Sequence, residues 1–238
     1  MPLSPPVSVH LTTLPTHDCS YLPGREAVTR AFRADVLPGD LYHDFMDAGF
    51  RRSGKVIYQP VCQSCQLCVP IRVPVDRFAP SKSQRRCWRA NADLHVSADV
   101  PVPTVEKLEL YQRYQTHWHG KVSESEEDSW AAMVSFLYES PVQSLEFTYR
   151  TPDQELVAVG IADVCSRSFS SVYFYFDPKH SARGLGTFGA LQELQWAHQH
   201  QIPQYYLGFW VNGCGKMAYK TAFRPYQLLD ANGVWQDG

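Results

Sequence analysis

Three cysteines at x2 spacing, Cys62, Cys65 and Cys68 in "YQPVCQSCQLCVPIRV", and a fourth upstream, Cys19 in "HDCSYLP", carry the most chemically suggestive pattern in this chain. A tight loop with that spacing aims successive thiolates at one point, and a distant cysteine can supply the fourth. Zinc would hold Cys19, Cys62, Cys65 and Cys68 as a closed tetrahedral site, and a [4Fe-4S] cluster would use the same four thiolates. The spacing does not separate the two, and a chance cluster of buried thiols is the plainer alternative. His17, two residues before Cys19, is a further ligand by type, although a lone histidine is more often structural. Cys87, Cys165 and Cys214 have no cysteine partner nearby and read as buried or surface thiols.

A second constellation lies in the C-terminal half. "YFDPKHSARGLGTFGALQELQWA" reads as a strand, a turn holding Gly184 and Gly186, and a helix over residues 184–200. Backbone N–H groups in such a turn, with the dipole of the helix behind them, suit an anionic donor. Further on, "NGCGKMAYKTAF" places Asn212 and Tyr219 seven apart. A phenol with a pKa of about 10 can give a proton to a leaving group at neutral pH. Ordinary packing of an amphipathic helix explains the same tyrosine. The order of strands, glycine turn, helix, strand, helix and strand resembles the core of the GNAT acyltransferases. Ser181 stands where those proteins carry a basic residue before the glycine turn, which argues against binding of CoA pyrophosphate.

These groups need elements to position them. At 238 residues and 44% apolar content, the chain can build one large domain or two modest ones around a packed core. A net charge of −2 excludes a surface coated in basic residues but leaves room for a local patch. That patch is "RFAPSKSQRRCWR": residues 72–89 hold Arg72, Arg77, Lys82, Arg85, Arg86 and Arg89 against one acid, Asp76. Arginine offers the bidentate geometry that a phosphate or a carboxylate requires, and Ser81 or Ser83 can cap a helix here. A solvated helix face is the alternative. "VPIRVPV" alternates, with Val69, Ile71, Val73 and Val75 on one side, and its prolines at 70 and 74 predict an edge strand.

Residues 1–16 read as a Pro/Ser/Thr-rich arm, "LPGDLYHDFMDAGF" as a short helix and "KVIYQP" as a strand feeding the cysteine loop. "SADVPVPTVEK" is the expected junction, giving an N-terminal cysteine module over 1–98 and a second domain over 99–238. Residues 104–118 and 125–139 carry helical periodicity. "SLEFTYR", "ELVAVGIADVC" and "SSVYFYFDP" follow as three antiparallel strands, then the glycine-led helix, the strand "QYYLGFW", a helix over 212–222 and a final strand "YQLLD". The fold class expected is α+β. No run of 18 apolar residues and no basic, apolar leader are present, so the expectation is a cytoplasmic protein with no membrane partner and its seven cysteines not paired as disulfides.

With these residues in view, the chain resembles the bacterial aspartate/glutamate leucyltransferases, relatives of the arginyl-tRNA–protein transferases. The match runs from about Cys19 to Leu229 and includes "CSYLP", "LYHDFMDAGFRRSGKVIYQPVCQSCQLCVPIRVPVDRFAPSKSQRR", "VYFYFDP", "LGTFGALQELQWA" and "YYLGFWVNGCGKMAYKTAFRPYQLL". The resemblance implies a cysteine-bearing module and a GNAT-like transferase domain. It implies transfer of leucine from leucyl-tRNA to the α-amine of proteins beginning with Asp or Glu, which marks them for N-degron proteolysis. In the eukaryotic relatives the cysteine module is linked to iron–sulfur binding through a C-x-x-C pair, where this chain has Cys19 and Leu22.

Transfer from an ester to an amine is downhill and requires no cofactor. It requires the amine against the carbonyl, donors for the oxyanion and a proton for the departing ribose oxygen. The candidate catalytic residues are Tyr219, Asn212, Phe176 and Asp177, with strand-end N–H groups over residues 174–176 as oxyanion donors. Arg183, Lys216 and Lys220 are candidates for the phosphates of the tRNA 3′ end. Arg72, Lys82, Arg85 and Arg86 are candidates for the acceptor's acidic side chain. DNA is not an expected partner. The rival readings are an arginyl-transferring member of the same family, a CoA-dependent acetyltransferase, and a non-catalytic metal- or cluster-bearing RNA-binding module.

Overall fold

A computed structural model describes residues 8–120 and 125–238. The first seven residues of the arm expected over 1–16 lie outside the described residues. In chain order the first part contributes β1 (Thr12–Thr13), β2 (His17–Asp18), β3 (Glu26–Ala27), β4 (Thr29–Arg33), helix α1 (Gly39–Asp47), β5 (Arg51–Ser53), β6 (Val56–Pro60) and β7 (Cys68–Pro74). Helix α2 (Lys82–Ala90), β8 (His95–Asp99), α3 (Val105–His119), α4 (Glu126–Met133), β9 (Ser144–Arg150), β10 (Leu156–Val164) and β11 (Ser168–Phe176) come next. The chain closes with α5 (Leu185–Gln199), β12 (Gln204–Val211), β13 (Gln227–Leu229) and β14 (Trp235–Asp237).

The α+β architecture rests on an eight-stranded sheet in the order β14-β13-β7-β12-β11-β10-β9-β8 and a four-stranded sheet β1-β4-β6-β5, with β2 and β3 as a separate pair. β10 is central and its sequence, LVAVGIADV, is nearly all apolar because both of its faces are covered. Val159 and Ile161 pack with Leu108, Leu110 and Met133 of α3 and α4. Ala158 and Ala162 pack with Phe188, Leu191 and Leu194 of α5. Among the described residues, no helix is long and apolar enough to cross a membrane.

β7 corrects an expectation. Ile71, Val73 and Val75 do face the core, but the strand lies inside the sheet, between β12 and β13. β13 pairs with it only at Ile71 and Arg72, between the two prolines, so the missing N–H groups fall outside that ladder. The junction expected between residues 98 and 99 falls inside β8, which pairs along β9. The cysteine-bearing part is tied to the transferase sheet by β7 and by a buried ion pair, in which Arg52 of β5 grips Asp163 of β10 through two 2.6 Å hydrogen bonds.

Local signals place the other elements. Ser81 caps α2 through a capping box with Gln84, and Trp88 then packs edge-on against Phe188 of α5 at 5.5 Å. Gly184, at φ 67°, starts α5 from a left-handed conformation that a side chain would strain. The helix expected over 125–139 is α4 followed by a π-helical turn, Val134–Tyr138, and the segment expected over 212–222 is a 3-10 helix, Gly215–Ala222.

Candidate active site

β11 and β12 run parallel but pair only where residues 168–170 meet residues 204–206. Beyond that point each keeps its other neighbour, β10 for β11 and β7 for β12, and the two strands part into a notch. The Asp177 N–H donates to Val157 of β10. The alternation of an antiparallel ladder then turns the N–H groups of Phe174 and Phe176 away from β10, toward the notch.

A cavity of about 180 Å³ fills the notch. Its walls are Ser171, Phe174 and Phe176 of β11, Leu207 of β12, and one stripe of α5. Gly186, Ala190 and Glu193 form that stripe at i, i+4 and i+7, and the two small residues open the space that the third looks into. Tyr114 of α3 and Tyr219 of the 3-10 segment complete the lining. Gly189 lies behind this wall, where a Cβ would sit 2.2 Å from the Phe174 ring, so only glycine lets that ring lie against α5.

Two titratable side chains meet in this cavity. Glu193 is 1% exposed, and burial pushes its carboxyl up to about 7, against the hydroxyls of Tyr205 and Ser171, which favour the ionised form. Its Oε2 accepts from the Tyr205 hydroxyl at 2.6 Å and the Ser171 hydroxyl lies close to the carboxyl group, while Oε1 makes no hydrogen bond of normal geometry. Tyr219 turns part of its ring to solvent and is raised to about 12 by burial, then by Glu193 and Tyr114. The phenol therefore holds its proton at neutral pH and can donate it. Of the residues expected from sequence, Tyr219 and Phe176 line this cavity. Glu193 was not among them, because a glutamate in "LQELQWA" reads as an ordinary polar helix position; its spacing from Gly186 and Ala190 is the one available signal.

The other candidates are elsewhere. Asn212 is exposed beyond the end of β12 and does not line the cavity. Asp177 caps the Pro178–Arg183 turn, accepting from the Lys179 N–H, and pairs with Arg113 at 3.0 Å. Arg183 is held bidentate by Asp93 at 2.9 Å. Lys216 is exposed. Lys220 does not reach the surface: it is 7% exposed and its ammonium donates to the Phe209 carbonyl at 2.7 Å. Burial first, and Arg51 second, lower it to about 7. The cause is the irregularity in β12 opposite β7, between Tyr206 and Phe209, which leaves carbonyls for Lys220 and Arg51 to fill. Arg72 is likewise engaged, by Asp47 at 2.8 Å, by Gln227 and by the Trp235 ring at 4.2 Å. Lys82, Arg85 and Arg86 are exposed on α2. That helix packs beside the start of α5, with Asn91 at its C-terminal end donating to the Arg183 carbonyl at 2.9 Å.

The cysteines line a different and larger cavity, of about 1070 Å³, together with Tyr21, Tyr58 and Leu228. All seven cysteines are free thiols. Burial, then Cys19, Cys62, Cys65 and Cys214, push Cys68 up to about 12. Cys214 thus shares this neighbourhood, contrary to the sequence expectation, because β12 brings Val211 opposite Cys68 and the chain continues three residues further. Cys65 accepts from Arg25 and Cys62 from the Val28 N–H. Among the described residues, no three His, Cys, Asp or Glu side chains come together closely enough to hold a metal ion. The thiols suit zinc or a cluster by type; their arrangement in this structure does not.

The splayed parallel pair, the glycine-led helix and the cavity between them give this part of the chain a GNAT-like fold. The C-terminal domain of a putative lysylphosphatidylglycerol synthetase from Agrobacterium fabrum shares the fold at TM-score 0.51 and 15% identity, over 87% of this chain and 65% of that one. Family models described as the N terminus and the C terminus of arginine-tRNA-protein transferase match residues 17–86 and 106–230. Aspartate/glutamate leucyltransferases from Saccharophagus degradans and Pseudomonas syringae pv. tomato are 38% and 40% identical, each over 92% of both chains. The chain belongs to the arginine-tRNA–protein transferase family, and it is a transferase.

Proposed function

We propose that the protein moves leucine from leucyl-tRNA to the free α-amine of proteins beginning with Asp or Glu, in the cytoplasm where charged tRNA is available. The reading rests on one observation: a chain alike over nearly its whole length to leucyltransferases holds a notch cavity between splayed strands, with a tyrosine that keeps its proton in its lining. The ester carbonyl would enter the notch with its oxygen toward the N–H groups of Phe174 and Phe176. The acceptor amine, uncharged, attacks the carbonyl carbon directly; the tetrahedral oxyanion forms against those donors. Collapse breaks the ester bond; Tyr219 or a hydroxyl of the tRNA gives its proton to the departing ribose oxygen and takes one from the attacking nitrogen, which leaves the neutral amide and restores the donor. No cofactor enters this sequence.

Exposed Lys216 and the partly exposed Arg183 are proposed to meet the tRNA 3′ end. Lys82, Arg85 and Arg86 are proposed to recognise the acceptor's carboxylate. The test is incubation with leucyl- or arginyl-tRNA and peptides beginning Asp, Glu, Lys or Ala, scored by mass. Leucine should appear on the Asp and Glu peptides alone. Arginine on those peptides, or leucine on the Lys peptide, would overturn the assignment.

A further inference from the structure

Glu193 is the one carboxylate among the residues lining the notch cavity, and no Lys, Arg or His lines it. One of its oxygens is anchored by Tyr205, which fixes the carboxyl group, and the other, with the Ser171 hydroxyl close to the carboxyl group, makes no hydrogen bond of normal geometry. A Cβ on Gly160 would come within 3.3 Å of Oε1, so the glycine opposite keeps the carboxyl group uncrowded. A buried polar atom without a partner is costly, and native proteins rarely leave one so unless something else supplies the bond. Phe174, Phe176, Leu207 and Ala190 give the cavity apolar walls, beside which Ser171, Tyr114 and Tyr219 also line it. An apolar cavity of about 150 Å³ is enough to take up benzene, so about 180 Å³ admits a small aliphatic group and not a nucleoside. The ligand this lining selects is a small amphiphile with an aliphatic body and a cationic or hydrogen-bond-donating head.

We propose that Glu193 is the counter-ion for the α-ammonium of the donor aminoacyl group, with the apolar walls around it taking that group's aliphatic side chain. The proposal rests on the aminoacyl-transfer reading of the notch. In that reading the carbonyl oxygen faces the N–H groups of Phe174 and Phe176, and the α-carbon is one bond from the carbonyl carbon. The α-amine of the donor then lies inside the same cavity as the free oxygen of Glu193. A carboxylate raised by burial gains a cation there, and the bond costs no rearrangement because Tyr205 already holds the group.

The experiment uses the full chain, an Asp-peptide and two donors that differ only at the α-carbon: leucyl-tRNA and the α-hydroxy analogue, 2-hydroxy-4-methylpentanoyl-tRNA. Each kcat/KM is normalised to the donor's uncatalysed ester hydrolysis. The wild-type protein should prefer the amino donor by about 10- to 100-fold, the range of a charge-assisted hydrogen bond. Glu193→Gln should lose most of that preference by slowing the amino donor and sparing the hydroxy donor. Equal use of both donors by the wild-type protein would overturn the proposal whether or not the variant folds. An equal fall for both donors in Glu193→Gln would also overturn it, assigning Glu193 to the acceptor amine or to structure. Failure of the wild-type protein to transfer leucine at all would remove the underlying reading, a result distinct from either.

Discussion

The cysteine-lined cavity and the notch cavity invert the usual relation between size and chemistry. The cysteine-lined cavity of about 1070 Å³ gathers the thiols that dominate the sequence, yet Cys68 is pushed toward its protonated form there. The notch of about 180 Å³ is lined by no cysteine, but it combines strand N–H groups turned away from β10, a phenol that keeps its proton and a buried carboxyl group anchored at one oxygen. Transition-state chemistry needs fixed dipoles aimed at a small volume. A parallel pair that parts after three residues provides that, and a broad cavity does not.

The comparison can be broken in order of expected effect. The largest should come from the pair that joins the two regions. Asp163→Asn leaves Arg52 buried without its charge partner, and breaking such a pair costs about 3–5 kcal/mol. Urea unfolding should show that loss. A change below about 1 kcal/mol, the value of an exposed pair, would mean the two regions are not clamped by this contact. The α2 cations should give a smaller effect, split between substrates. Arg85→Ala and Arg86→Ala should each raise KM for an Asp-peptide by about 10-fold, the loss of one charge-assisted contact, and raise KM for leucyl-tRNA less. An effect on tRNA alone would reassign α2 to the nucleic acid.

Much of this was legible in the sequence, for physical reasons that also mark where legibility stopped. Strands β9 to β11 follow from runs of apolar and aromatic residues bounded by short turns, although β10 is buried on both faces and carries no period-two alternation, and Ser81 marks the start of α2. β7 was misplaced because proline signals an edge only when its missing N–H faces a ladder, and the shortness of β13 avoids that. β14 was missed because three residues carry no period. In the site, Tyr219 and Phe176 could be read from their segments. The buried position of Lys220 depends on an irregularity in β12, and the role of Glu193 depends on which side of α5 faces the notch. Cys214 joins the other cysteines only through strand pairing across more than a hundred residues of chain.

The most direct test of the notch as reaction centre is a single-turnover transfer rate, with leucyl-tRNA and an Asp-peptide both saturating, on Tyr219→Phe beside Cys65→Ser. Removal of a proton donor should slow Tyr219→Phe by about 100-fold, the lower range for general acid catalysis, while Cys65→Ser stays within about 3-fold of wild type, as expected for a side chain outside the reacting geometry. An unchanged rate in Tyr219→Phe with a collapse in Cys65→Ser would contradict the account and move the chemistry to the cysteine cavity.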